Sequence, residues 1–281
     1  MTNTLNPDTP GVVAARMREV LGAGPVAVLT GAGVSTDSGI PDYRGPGSPP
    51  RKPMTYQQFV GDAAFRRHYW ARNHVGWHYV HRTLPNDGHR ALAELEAAGA
   101  VSAVITQNVD TLHEVAGSRR VVDLHGRYDR VVCLACAEVV SRASLAERLT
   151  ALNPDFADGV ADVEVAPDAD AVLASTEGFR VADCGSCGGM LKPDIVYFGE
   201  NVPKPRVLEG YRLVDEASAL LVAGSSLTVF SGRRYVKRAA EQGKPVVILN
   251  RGETRSDGVA ALTVDAGCSQ VLRSLVRAYT P

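Results

Sequence analysis

Two Cys-x-x-Cys pairs, Cys133 with Cys136 and Cys184 with Cys187, are the groups in this sequence best suited to hold a metal ion. Each pair offers two thiolates, and four sulfurs complete the tetrahedral shell that zinc prefers without leaving a position for water. The ion so held is one structural zinc. A redox dithiol is the other use of such a pair, and the presence of two pairs argues against it. The stretch between them is longer than in common zinc ribbons; closure entropy tolerates this because it grows only with the logarithm of loop length. His74, His78 and His81 would share one helix face, a spacing a metal could use, but Trp70, Trp77 and Tyr79 favour a packed aromatic helix.

The other chemically capable residues sit where apolar runs end. Gly31, Ala32 and Gly33 follow Val26–Thr30. Glycines directly after a strand let backbone N–H groups approach a pyrophosphate, and the next helix N-terminus adds its positive end. Gly39 arrives too late for a G-x-G-x-x-G pattern, so a tight strand-to-helix turn accounts for these residues equally well. Ile40, Asp42, Tyr43 and Arg44 then place a carboxylate and a guanidinium where a dinucleotide would continue. Asn108 and Asp110 follow the apolar run 101–105, where they could cap a helix or project into a crevice. His125 follows the run 121–124 and precedes Gly126, at the carboxyl end of a strand, where open α/β sheets keep their sites. Its neutral imidazole can take a proton near pH 7. Position alone does not separate such a base from a surface or core histidine.

The elements that must position these groups are legible as alternation. Apolar runs at 26–30, 101–105, 121–124, 219–222 and 246–249 are mostly preceded by helical patterns such as 90–96, which predicts a Rossmann-like, doubly wound parallel α/β sheet. Two regions break the alternation. The segment 46–53 is a Pro- and Gly-rich loop leading into an aromatic-rich helical stretch at 56–81, and 133–187 carries both cysteine pairs around a long acidic segment, 153–179, without Lys or Arg. The expected organisation is a Rossmann-like dinucleotide-binding domain made of 1–45, 86–126 and 196–281. The rest is a smaller inserted module: a helical part, 46–85, and a zinc ribbon with the acidic insertion, 127–195.

A chain of 281 residues with 45% hydrophobic and 22% charged residues has the make-up of an ordinary folded enzyme. Its formal net charge of -1 gives no overall footprint for phosphate backbones, so no direct nucleic-acid partner is expected. No apolar run has the length of a membrane span, and the polar residues 1–10 do not form a targeting segment. A cytoplasmic location with no membrane partner is the expectation. The oligomeric state stays open, with a monomer favoured.

The motifs together resemble the sirtuin family. The stretch Gly31-Ala32-Gly33-Val34-Ser35 followed by Gly39-Ile40-Pro41-Asp42-Tyr43-Arg44 is similar to that family's signature, with Tyr43 where Phe is commoner. Thr106-Gln107-Asn108-Val109-Asp110-Thr111-Leu112-His113, Leu124-His125-Gly126 and Lys192-Pro193-Asp194-Ile195-Val196-Tyr197-Phe198-Gly199-Glu200 follow in the family's order. The resemblance runs from about Val26 to Cys268. It implies that His125 is the general base, assisted by Asn108, and that Gln107, Asn108 and Asp110 line the nicotinamide and ribose pocket. It further implies that Ile40 and Asp42 hold the carboxamide and that Arg44 meets the phosphates. Gly31, Ala32, Gly33, Ser35 and Gly224, Ser225, Ser226 would surround phosphates and ribose. Asn250, Arg251 and Gly252 would take the adenosine, with Cys268 near the adenine, although Cys268 could also be a plain buried thiol. Val196, Phe198, Gly199 and Glu200 would pair with the substrate backbone as an added strand, Phe198 lying near the acyl-lysine.

The implied activity is an NAD-dependent deacylation of protein lysine that releases nicotinamide and O-acyl-ADP-ribose, with NAD as co-substrate and acyl-lysine proteins as partners. Tyr43, Gly224-Ser225-Ser226, the segment 86–89 and the acidic insertion are most similar to the class II branch. No Tyr and Arg pair of the succinyl-selecting kind is found in 45–53. Three other readings are open: a protein mono-ADP-ribosyltransferase on the same scaffold, a non-enzymatic zinc-ribbon binding module, and a hydride-transferring dehydrogenase.

Overall fold

A computed structural model describes residues 4–5, 9–42, 53–154, 156, 173 and 175–279. Tyr43, Arg44 and most of the acidic insertion lie outside these described residues. Strands β1 (Thr4–Leu5), β2 (Val26–Thr30), β3 (Val101–Thr106), β4 (Val121–Asp123), β5 (Gly126–Cys133), β6 (Val139–Ser141), β7 (Leu191–Ile195), β8 (Ala219–Ala223), β9 (Val246–Asn250) and β10 (Leu262–Asp265) fall into two sheets. The first is parallel, in the order β1-β10-β9-β8-β2-β3-β4; the second is antiparallel, β6-β5-β7.

Every residue of β2 and β8 is buried, which is why these strands read as unbroken apolar runs: a parallel sheet is covered on both faces. The pleat divides β2 between two cores. Val26 and Val28 pack with Met17 of α1 (Pro10–Leu21), Leu92 of α4 (Asp87–Ala97) and Leu272 of α9 (Cys268–Tyr279). Ala27 and Leu29 pack with Leu213 of α7 (Lys204–Glu216) and Tyr235 of α8 (Phe230–Glu241) on the opposite face. Thr30 pairs with both Thr106 and Ala223, so the ends of the three central strands lie level.

The second sheet shares its core with α2 (Tyr56–Gly61), α3 (Ala63–Val80) and α6 (Arg142–Leu152). Phe59 stacks on Tyr197 at 5.2 Å, and Tyr69 and Trp70 meet Phe59 edge-on. The helical stretch expected over 56–81 is two helices, because the Asp62 carboxylate accepts from Ala64 and Phe65 N–H and starts a second one. Trp70, His74 and Trp77 are buried as an aromatic helix requires, but Tyr79 points outward at 54% exposure. The helix expected after Gly33 is replaced by two single 3-10 turns, Ala32–Val34 and Thr36–Ser38, too short to present a macrodipole. No helix is long and apolar enough to cross a membrane among the described residues.

Candidate active site

The strand order is that of two βαβ halves diverging from β2 and β8, and open α/β sheets bind ligands where the order reverses. Both glycine turns sit there. A Cβ on Gly33 would lie 2.9 Å from the Gly224 Cα, and one on Gly224, whose φ is +63°, would lie 2.4 Å from Val34 N. These glycines therefore let two backbone turns touch, a different reason from close approach to a pyrophosphate. The result still suits a dinucleotide, since backbone rather than side chains lines the switch point.

Behind the turns lies a closed polar network. Ser35 donates to Asp110 Oδ2 at 2.6 Å and accepts from Asn108 Nδ2 at 3.1 Å. His89 Nδ1 accepts from the Asn86 N–H, which leaves its Nε2–H to face Ser35 Oγ at 3.4 Å. The Asn86 carboxamide oxygen caps α4 by accepting from Gly88 and His89 N–H, while its nitrogen donates to Val34 O and Ser38 Oγ. Both Asp110 oxygens are taken by the protein itself: Oδ1 accepts from Leu112 N–H at the start of α5 (Leu112–Val115), and Oδ2 accepts from Ser35. Burial raises the Asp110 carboxyl, opposed by those two hydrogen bonds. Asn108 spends its second amide hydrogen on Gly31 O at 3.1 Å, so its carbonyl oxygen is the atom left to face a ligand.

His125 is held from two sides. Nδ1–H donates to Gln107 O at 2.9 Å, which fixes the tautomer and turns the Nε2 lone pair toward the Ser231 hydroxyl at 2.7 Å. Burial pushes the imidazole down to about 4, and the Arg206 and Arg234 guanidiniums push the same way against the Gln107 carbonyl. Gln107 is itself pinned by Thr30 O at 3.1 Å and Ser225 Oγ at 2.8 Å, and its amide fills the space a Cβ on Gly232 would take. Ser231 was invisible to sequence reasoning, because one hydroxyl at a helix start looks like any turn former.

The remaining expected residues divide. Ile40 is buried in the core of the small sheet, and Asp42 is partly exposed beside it in sequence. Ser226 pairs with Thr228 Oγ1 at 3.1 Å. The Asn250 amide donates to Arg251 O and Gly252 O, so it builds its own turn. The Arg251 guanidinium occupies the space over Gly267, next to Cys268, whose thiol burial pushes up to about 12. Val196 N–H donates to His125 O, Tyr197 N–H to Glu200 Oε2, and Tyr56 N–H to Phe198 O. Gln57 donates to Gly199 O, and Lys192 pairs with Glu200 at 3.1 Å. The segment 196–200 is thus preformed, with Glu200 committed to its own loop and Phe198 41% exposed.

The four cysteine sulfurs lie within 4.8 Å of one another, with Cys133 and Cys187 at 3.5 Å and Cys136 and Cys184 at 3.8 Å. Thiolates on a tetrahedral zinc at about 2.3 Å stand roughly 3.8 Å apart, so the donor set fits that ion. The two knuckles repeat one bond pattern: Cys133 N–H to Glu138 O and Cys184 N–H to Gly189 O, both at 2.8 Å. No other group of His, Cys, Asp and Glu with metal-binding spacing is found among the described residues, so the histidines of α3 form none.

A sheet of this order with its polar residues gathered at the switch point, joined to a four-cysteine ribbon, defines a class: dinucleotide-binding α/β proteins with a structural metal module. Within that class the chain belongs to the Sir2 family, the sirtuins, whose profile matches residues 31–231. The NAD-dependent protein deacetylase 1 of Mycobacterium avium (strain 104) is 61% identical over 277 residues, 98% of this chain and 96% of that relative. The NAD-dependent protein deacylase SIR4 of Monosiga brevicollis is 50% identical over 240 residues, 84% of this chain and 78% of the relative. Among solved structures, a Sir2 complex with a p53 peptide and NAD+ matches with a TM-score of 0.74 at 30% identity, covering 93% of this chain and 96% of the other.

Proposed function

We propose that this chain removes acyl groups from protein lysines in an NAD-dependent reaction that releases nicotinamide and O-acyl-ADP-ribose. The observation that carries the reading is the ring of His125, neutral and fixed in one tautomer at the strand ends beside Gln107 and Asn108. Bound NAD supplies an anomeric carbon with a good leaving group and then the ribose that accepts the acyl group.

The chain's own residues do the rest. His125 Nε2 takes the proton of a ribose hydroxyl once Ser231 yields its place, and the Gln107 carbonyl steadies the imidazolium through Nδ1–H. Asn108, its nitrogen tied to Gly31 and Ser35, offers its carbonyl oxygen to a ribose hydroxyl or a bound water. Ser35 and Asp110 hold that amide in place from behind. Gly31 to Gly33 and Gly224 to Ser226 supply backbone and hydroxyl groups to the phosphates, and Arg251 and Cys268 bound the adenine end. The substrate chain docks along the preformed segment 196–200, Phe198 covering the acyl-lysine. Zinc, held by Cys133, Cys136, Cys184 and Cys187, is structural.

Gly224-Ser225-Ser226 and the Asn86 to His89 segment are the described residues that support placement in the class II branch. The test is nicotinamide release across lysine peptides with acyl chains of graded length and charge. Release only when acyl-lysine is present is the expected result. Labelled ADP-ribose left on protein, with no deacylated peptide, would replace this reading by transferase activity.

A further inference from the structure

Helix α8 carries four cations, Arg233, Arg234, Lys237 and Arg238, and they are not alike. The two far from the crevice are neutralised: Lys237 by Glu241 at 3.7 Å, and Arg238 by Asp215 at 2.8 Å. Arg233 and Arg234, one turn closer to the helix start, have no carboxylate partner among the described residues. Their guanidinium carbons sit 5.9 and 5.2 Å from the ring centre of Phe230, which is 55% exposed. The spacing of 230 to 233 and 234 places all three on one helix face.

That face borders the crevice. Ser231, next to Phe230, touches His125 Nε2, and Val196 N–H donates to His125 O. His125 therefore forms a floor between the start of α8 and the segment 196–200, with Phe230 exposed on one wall and Phe198 on the other. Among the described residues, Arg206 pairs with Asp194 at 2.9 Å, a carboxylate that Arg130 also reaches at 2.7 Å, and Lys192 pairs with Glu200 at 3.1 Å. Within α8, Arg233 and Arg234 are thus the cations without a carboxylate among the described residues, and they sit near a helix N-terminus whose first turn has no acidic residue.

Resting on the deacylase reading, we infer that Arg233 and Arg234, framing Phe230, select protein substrates with an aspartate or glutamate close to the acyl-lysine. A guanidinium held beside an aromatic ring is restricted in where it points, and although the Arg234 Nε is buried, the terminal N–H groups of both arginines are the donors that would grip a carboxylate. The same ring gives the methylene groups of the incoming side chain an apolar surface. A merely solvated helix face would leave its four cations in the same condition, whereas here those nearest the crevice are the unpaired ones.

The test uses two fluorescent acyl-lysine peptides that differ only in carrying Asp or Lys on both sides of the modified residue. Nicotinamide release and anisotropy are measured for the zinc-loaded protein and for its Arg233→Glu/Arg234→Glu form, with Arg233→Gln/Arg234→Gln as a milder second variant. The wild-type protein is expected to favour the acidic peptide roughly five- to tenfold through KM, less so as salt rises. The Gln pair should erase that preference and the Glu pair invert it. An unchanged peptide ratio in both variants overturns the inference, as does a rise in KM for NAD alone, which would assign the arginines to the dinucleotide. Selective binding of the acidic peptide without turnover would sink the deacylase reading and keep the docking site. Absence of both would sink the two together.

Discussion

His125 is held neutral because burial and two nearby guanidiniums disfavour its charged form. His125→Ala is expected to lower turnover about 10²–10⁴-fold with zinc content and melting temperature unchanged; retained activity would take the base role away from it. Ser231 makes a finer prediction. Its hydroxyl donates to the Nε2 lone pair and so stabilises the neutral ring. In Ser231→Ala the acidic limb of kcat/KM should move to higher pH, and Ser231→Thr should move it back; an unmoved limb would mean that Ser231 only fills space. Much of this site could be read from the sequence because strand ends announce themselves, as 121–124 did for His125. Ser231 could not, since its partner lies far along the chain and nothing local marks the contact.

Among elements, the turns after β2 and β8 hold each other in place. Gly224→Ala combines a positive φ with a Cβ 2.4 Å from backbone, so a stability loss of about 1–3 kcal/mol is expected by denaturant titration, together with weaker NAD binding. The zinc ribbon gives a second test at this scale: Cys184→Ser should lower metal content and stability together, and loss of either alone would undo the structural assignment. The knuckles were legible because their ligand spacing is local, and β2 and β8 because full burial leaves an unbroken apolar signature. The 3-10 turns after Gly33 were not, since a glycine turn followed by polar residues opens helix and turn alike until tertiary contact decides. Strand β1, two residues long, is too short to carry any pattern, and β10 derives its place from pairing with β9.

For the molecule as a whole, burial lowers the histidines at 74, 89 and 125 to about 4 and holds His113 well below its ordinary value. Their folded values lie below the unfolded 6.5, so between those limits the unfolded chain binds more protons and stability is lost as pH falls. A shift of this size corresponds to about 3 kcal/mol per fully buried ring. Asp110, Glu114 and Asp123, raised by burial, act in the opposite sense above their ordinary values and so offset part of that loss in the same window. Because four rings oppose three carboxyls, thermal melts should decline from pH 6.5 toward 4, and melts that instead rise over that range would contradict the burial of these rings. One residue of the floor has a wider reach. Leu124 and His125 bridge β4 of the large sheet and β5 of the small one, Gly126 bends there with φ +85°, and His125 O is gripped by the residue that follows β7. The imidazole thus rides on the seam between the two sheets, and its aim depends on how firmly the cysteine-clasped one is seated. Stripping the zinc with a chelator should silence the chemistry by loosening that mounting, although the ion touches nothing that reacts.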